Sequence, residues 1–427
     1  MGRVALKSTL PIALFIPKMN RKLVLLTLVF VLSACGFGKN STPYLVTLTP
    51  AITVPPTAPT DPVASATDVP TETPTTHPTE SVVPSDTALP ATASHTPPPP
   101  TPTVDPWPPA LAAPGQSKMG IHVILNDDPR IMEFIRRVKP RVVKGLDNLD
   151  WLAEVKQVSP QTITIGRFVD VPERDMLDNK DPSLFPNPAD FAHKFIDYFI
   201  ARYRQNPGVD YWEGWNEFPP NTPAQWQWYA EFEANRACFM NDIGLKAAIG
   251  GFSAGTPEYP DMVYFVSVLE KAAKCNAIFT LHEYSSPTMQ TGFNSGIPNA
   301  VHVENAGSLT LRYRYWYEAY IKPRGINIPL VISEAGIDSN VGPGCPMKEG
   351  GQGWYACYKD WDAMNLGAAK WKVYLDQLVW YDNELRKDDY VIGFTIFTAG
   401  TSNVEAWRTF DINDMLIPMA GYMASQP

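Results

Sequence analysis

Eight short apolar runs, each followed by a longer segment with helical spacing, predict a (β/α)8 barrel over the last three quarters of this 427-residue chain. Three observations carry that prediction. The runs are apolar on both faces, as parallel strands covered by helices must be. They alternate strictly with helix candidates, as βα units do. The first of them, Ile121-His122-Val123-Ile124-Leu125-Asn126-Asp127, is not followed by a Gly-rich phosphate loop, which argues against the runner-up, an open doubly wound sheet.

The predicted strands are Met119 to Leu125, Arg141 to Lys144, Thr162 to Phe168, Tyr211 to Trp215, Ala247 to Phe252, Ile278 to His282, Pro329 to Ser333 and Val391 to Phe397. Between them, apolar residues at helical spacing predict helices over Arg130 to Val138, Pro188 to Tyr203, Ala224 to Asn241, Pro260 to Cys275, Thr310 to Ile321 and Asn365 to Arg386. The catalytic domain is therefore expected over residues 115–427.

What precedes it is different in kind. Met19-Asn20-Arg21-Lys22, the apolar run Leu23 to Leu32, and Leu32-Ser33-Ala34-Cys35 read as the charged, apolar and cleavage regions of a signal peptide over residues 1–35, with Met19 a candidate true start. The apolar run is too short to span a bilayer. From 36 to 114 the chain is dominated by Pro, Thr, Ser, Ala and Val, including Pro97-Pro98-Pro99-Pro100-Thr101-Pro102. Such a segment buries too little to offset its ordering entropy, so it is expected to be a disordered stalk, reaching on the order of 200 Å if fully extended as polyproline II.

Composition excludes some functions. A net charge of −9 with no basic stripe argues against nucleic acid as a partner. Apart from Cys35 there are four cysteines, none in a Cys-x-x-Cys, which argues against a zinc site. Export allows two disulfides, Cys345 to Cys357 and Cys238 to Cys275; for the second pair, buried free thiols are an equal reading.

Two segments carry the chemistry. Trp215-Asn216-Glu217 closes the fourth run and Ser333-Glu334-Ala335-Gly336 the seventh. In a barrel both lie at the carboxyl ends of strands, facing one mouth, and a facing pair of carboxyl groups is what glycosidic bond cleavage requires.

On these residues the domain resembles the clan A glycoside hydrolases, retaining (β/α)8 enzymes that include cellulases, mannanases, xylanases and β-glycosidases. The resemblance implies Glu217, within Trp212-Glu213-Gly214-Trp215-Asn216-Glu217, as acid/base and Glu334 as nucleophile of a double displacement, with carboxyls roughly 5 to 5.5 Å apart. It implies sugar contacts from Asn216 at the 2-hydroxyl and from His282 and Tyr284 on the sixth strand, the tyrosine also bonding the nucleophile. It points to Trp215, Phe397, Lys144, Arg167 and His122 as further substrate-binding candidates, and to a structural role for Glu213. The chain departs from the family pattern at Phe218, which precedes Pro219, at Phe397, where the family has Trp, and at Lys144, where it has Arg.

Of twelve Trp and eighteen Tyr, Trp226, Trp228, Tyr229, Trp354, Tyr355 and Tyr358 are expected nearest the mouth, as faces on which sugar rings stack. Likewise Leu-Ser-Ala-Cys resembles the lipobox of bacterial lipoproteins, making Cys35 a lipidated anchor and the protein extracytoplasmic and membrane-tethered; an ordinary secretory signal is the other reading. The expectation is a monomeric hydrolase of β-linked poly- or oligosaccharide needing no metal or cofactor. The alternatives are a cell-surface carbohydrate-binding protein without turnover, and a transglycosylase using the same residues.

Overall fold

A computed structural model describes residues 105–169, 182–218, 220–348 and 350–426. The signal peptide, Met19, Cys35, the stalk as far as Val104, and Pro219 lie outside the described residues.

Eight parallel strands close into a barrel in sequence order: β1 Met119–Val123, β2 Val142–Leu146, β3 Ile163–Arg167, β4 Tyr211–Glu213, β5 Ala247–Phe252, β6 Ile278–Ser285, β7 Leu330–Ile337 and β8 Val391–Ala399. β1 pairs with β8, so no edge is left open. The strands bearing chemistry are unequal. β4 stops after three residues, whereas β6 and β7 continue past the predicted ends to Ser285 and Ile337.

Helices cover the outside: α1 Pro129–Val138, α2 Leu152–Val158, α3 Pro188–Gln205, α4 Pro223–Asp242, α5 Val263–Lys274, α6 Tyr313–Trp316 running into a π turn over Tyr317–Ile321, α7 Tyr358–Ala363, α8 Lys370–Leu385 and α9 Leu416–Ala424. Three of them start in the same way. Asp128, Asn187 and Thr222 each accept a backbone N–H with the side chain, and Pro follows at the first helical position, where a missing N–H costs nothing. α8 begins later than Asn365, because Asn365 (φ 54°) and Gly367 (φ 133°) hold the chain outside helical geometry.

Two layers of core result. The larger fills the space between sheet and helices. The smaller, Val142, Ile165, Ala248, Ile278 and Val331 with Ile163, Tyr211 and Ile392, plugs the barrel interior. Because side chains two residues apart point the same way along a strand, Lys144, Arg167 and Glu213 are carried directly above Val142, Ile165 and Tyr211. The polar floor of the mouth is thus laid on an apolar plug.

Residues 105–114, expected in the stalk, lie on the barrel instead. Arg137 on α1 bonds the Pro108 carbonyl (2.9 Å) and the Asp105 carboxylate (2.7 Å), Leu111 N–H bonds the Arg137 carbonyl, and Trp107 packs on the core. Trp107 gives residues 105–114 an apolar anchor on the barrel.

Candidate active site

At the carboxyl ends of β4, β6 and β7, one oxygen from each of Glu217 and Glu334 and a ring nitrogen of His282 lie within 4.8 Å of one another. Glu334, on β7, is almost completely buried. Its Oε1 accepts from Lys144 Nζ at 3.0 Å and its Oε2 from the Tyr284 hydroxyl at 2.9 Å. His282 Nδ1 stands 2.8 Å from Glu217 Oε1 and 3.6 Å from Glu334 Oε2, between the two carboxylates.

Electrostatics separate their roles. Burial alone would raise the Glu334 carboxyl, but its neighbours His282 and Lys144, with the bond from Lys144, outweigh it and hold that group well below the usual range, as an anion. Lys144 is fully buried, and despite the burial that opposes its charge, Glu213 (2.7 Å) and Glu334 keep its ammonium above the ordinary value. Glu213 is in turn held low by Lys144 against its own burial. A carboxylate–ammonium–carboxylate row therefore runs from the foot of the site to Glu334. Burial, and then the charge of Glu334, raise the Tyr284 hydroxyl well above its ordinary value, so it remains a donor.

His122 on β1 is completely buried, with Nδ1 3.9 Å from Glu334 Oε1 and, among the described residues, no hydrogen-bond partner for either ring nitrogen. Burial, with Lys144 beside it, keeps its imidazole well below the ordinary value, so it is neutral. Its ring meets Phe397 edge-on at 5.0 Å. Phe397 also faces Tyr284, Trp407 and Phe410, making an aromatic wall to which Ile124, Ala254 and Val341 add apolar edges. Arg167 is buried at the end of β3, close enough for its charge to act on His122 and Lys144. Asn216 is half-buried immediately before Glu217.

Backbone geometry fixes both glutamates. Glu217 has φ 51°, a left-handed conformation unusual for a residue with a side chain, and its N–H bonds the Gly251 carbonyl at 2.9 Å. Gly336, two residues after Glu334, has φ 149°; a Cβ there would lie 2.5 Å from the Tyr374 hydroxyl. The glycine of Ser333-Glu334-Ala335-Gly336 is thus demanded by space as well as by φ.

Several expected residues lie elsewhere. Trp215 is 2% exposed and packs among Phe191, Phe218, Trp228 and Phe232, outside the barrel, because the chain leaves the strand after Glu213 and the parity of inward positions is lost. Trp226, Trp228 and Tyr229 are buried in the same helix–sheet layer. Trp354 is buried too, its indole N–H shared between the carbonyls of Phe410 and Asp411 and its ring stacked on Tyr374. It joins the β7 loop to the β8 loop, and the Cys345–Cys357 disulfide closes that loop. Cys238 and Cys275 are bonded to one another, linking α4 to the end of α5.

The sequence reading overlooked Trp407, ten residues beyond the Phe397 it substitutes for in attention, and the α4 pair Glu233 and Arg236. Arg236 is fully buried and bonds Glu233 (2.7 Å), the Trp212 carbonyl (3.0 Å) and the Ala248 carbonyl (2.6 Å), tying β4 to β5 where the ladder is shortest. An opposite-charge pair three residues apart on an otherwise aromatic helix was the available signal.

The Glu217, His282 and Glu334 donors are spaced closely enough for a cation, and each oxygen of Glu334 also accepts one hydrogen bond, from Lys144 or from Tyr284.

The sequence matches no family model and no curated protein. Among solved structures, the chain is similar to a family 39 glycoside hydrolase from Bacteroides cellulosilyticus WH2 (13% identity, TM-score 0.42, covering 73% of this chain and 63% of that one). It is similar also to an endo-β-1,4-mannanase from Thermotoga petrophila (12%, 0.36, 72% and 77%) and a glycoside hydrolase family 5 enzyme from Prevotella bryantii B14 (11%, 0.39, 73% and 100%). The chain thus spans less than two thirds of the length of the family 39 enzyme.

Proposed function

We propose that this protein is a retaining glycoside hydrolase acting on β-linked poly- or oligosaccharides. The observation that carries the reading is the approach of the Glu217 and Glu334 carboxylates to within 4.8 Å. That approach is nearer the roughly 5 to 5.5 Å between carboxyls that direct attack on the anomeric carbon uses than the roughly 6.5 to 9.5 Å that inversion uses, which supports the retaining reading.

Glu334, held ionised by Lys144 and aligned by Tyr284, attacks the anomeric carbon. Glu217 gives its proton to the leaving oxygen and then takes one from the incoming water, with the half-exposed position that both acts need. Asn216, His122, His282 and Arg167 offer hydrogen-bonding groups to the sugar, and the Phe397 and Trp407 wall offers its apolar face a surface. The Leu-Ser-Ala-Cys sequence at Cys35 and the Pro/Thr-rich segment behind it support an extracytoplasmic enzyme tethered by lipid and held away from the membrane by a stalk.

The test is proton NMR of the first product formed from a panel of β-glucan, mannan and xylan oligosaccharides. Retention of the β-anomer is expected, with loss of hydrolysis but not of binding in Glu334→Ala. Net inversion, or a wild-type protein inert across the panel, would overturn the reading, and the second outcome would favour a carbohydrate-binding protein.

A further inference from the structure

The residue that must move a proton in this reading, Glu217, sits on no regular element. β4 has ended at Glu213, Glu217 adopts φ 51°, and the next described helix begins only at Pro223. Something else must hold it. Its carboxylate meets His282 of β6 at 2.8 Å, and its backbone N–H is bonded to the Gly251 carbonyl, so the position of its backbone is inherited from β5.

β5 is itself irregular at this point. Its pairing with β6 shifts register between Gly250 and Phe252, and Gly250 (φ 104°) and Gly251 (φ 57°) are consecutive residues in left-handed backbone. A Cβ on Gly250 would lie 2.7 Å from the Thr280 carbonyl, whereas Gly251 has open space, its nearest neighbour being the Trp215 carbonyl at 3.6 Å. A bulge of two glycines is a weak support unless it is held from behind.

The holder comes from α4. The Tyr229 hydroxyl donates to the Gly250 carbonyl at 2.9 Å, and its ring is completely buried among Phe218, Phe232, Phe252 and Phe265. One helical turn and then two on from Tyr229, Glu233 and Arg236 lie on the same face of α4, where Arg236 takes the carbonyls of Trp212 and Ala248. Two side chains of one helix, Tyr229 and Arg236, thus grip the strands next to Glu217, and Glu233 pairs with the second of them.

We propose that Tyr229 is a positioning residue for the acid/base glutamate, acting through the Gly250–Gly251 bulge and the Gly251 carbonyl on the Glu217 amide. The inference rests on the hydrolase reading for its catalytic consequence, but its structural link is measurable without activity. Tyr229 touches no reacting atom. It determines whether Glu217 meets the leaving oxygen in the orientation that proton transfer needs, and misplacement of a catalytic group on this scale costs about tenfold or more.

Tyr229→Phe removes the hydroxyl and keeps the ring. Two readouts decide. Amide hydrogen exchange resolved at residue 217 is expected to quicken about tenfold in Tyr229→Phe, the effect of losing one hydrogen bond on local opening, and an unchanged rate there overturns the proposal. On aryl β-glycosides, the variant is expected to lose about tenfold in kcat/KM with phenol as leaving group and less than twofold with 2,4-dinitrophenol, which departs without acid assistance. Equal losses on both substrates would mark Tyr229 as a packing residue and overturn the proposal.

Glu217→Ala serves as the control. If it lacks the same leaving-group dependence, the hydrolase reading fails while the exchange measurement still decides the structural link. Gly251→Ala, strained in φ but free of clashes, perturbs the same link from β5 and is expected to reproduce both signatures if Tyr229→Phe does not fold.

Discussion

Lys144→Met tests the charge row at the floor of the site. The ammonium is fully buried, 2.7 Å from Glu213 and 3.0 Å from Glu334. At the effective dielectric of about 20 that suits buried sites, each contact represents about 5 to 6 kcal/mol of gross attraction. Desolvation offsets most of this in the intact row. Removing the cation alone leaves two facing carboxylates without a counter-charge, and truncations of that kind cost about 3 to 5 kcal/mol. Urea unfolding at pH 7 should register that loss, and kcat/KM should fall by about 100-fold, because the anion at Glu334 has lost the charge that stabilises it. Adding Glu213→Gln removes the surplus negative charge, so the double variant should regain part of the stability while staying inactive. A Lys144→Met protein within about 1 kcal/mol of wild type, or a double variant less stable than the single one, would refute the reasoning.

Glu283, which faces the helix layer and accepts from Leu311 N–H, Tyr313 N–H and the Tyr381 hydroxyl, is pushed up to about 7, chiefly by burial. A carboxyl raised on folding favours the native state when protonated, so stability should fall as pH rises from about 4.5 towards 7, by about 3 kcal/mol, and level off above. Glu283→Gln should flatten that slope, measured as the difference in unfolding free energy from wild type across pH 5 to 8; an identical slope would contradict it. Gly336→Ala should be destabilised and nearly inactive by collision with the Tyr374 hydroxyl, and Tyr374→Phe in the same chain should restore part of both, as judged by melting temperature and kcat. Replacing Cys345 and Cys357 together by Ala should lower stability by about 2 to 3 kcal/mol in urea unfolding, since the bridge closes a loop that Trp354 docks onto the β8 loop.

The barrel was legible because parallel strands covered by helices on one side and an apolar plug on the other must be apolar throughout, and such runs are conspicuous in sequence. The predicted starts of α1, α3 and α4, read from apolar spacing, fall within one residue of the observed ones, where a capping side chain is followed by Pro. Short or irregular helices were not. α2 has seven residues, and α9 carries Pro418 in its first turn and Gly421 within it, features that read as breakers although the first turn tolerates Pro.

Among the candidate site residues, those at strand ends with chemistry of their own, Glu217, His282, Tyr284, Glu334 and Lys144, are the ones the barrel gathers at one mouth. Trp215, a candidate through the family resemblance, is a core residue instead, because β4 ends two residues earlier and the inward–outward alternation ends with it. The aromatic residues of α4 belong to the core, and ring chemistry alone does not distinguish a binding face from a core. What the sequence hides is support at a distance: no local pattern links Tyr229 to Gly250, or Arg236 to two strand carbonyls.

The most direct test of the central claim is mass spectrometry of the protein after exposure to 2-deoxy-2-fluoro-β-glycosides carrying a dinitrophenyl leaving group, with gluco, manno and xylo forms tried in turn. The expected result is one sugar added per chain, mapped by peptide fragmentation to Glu334 and absent from Glu334→Ala. A sugar attached to any other residue, or hydrolysis of these glycosides with no covalent adduct and an inverted product, would contradict it.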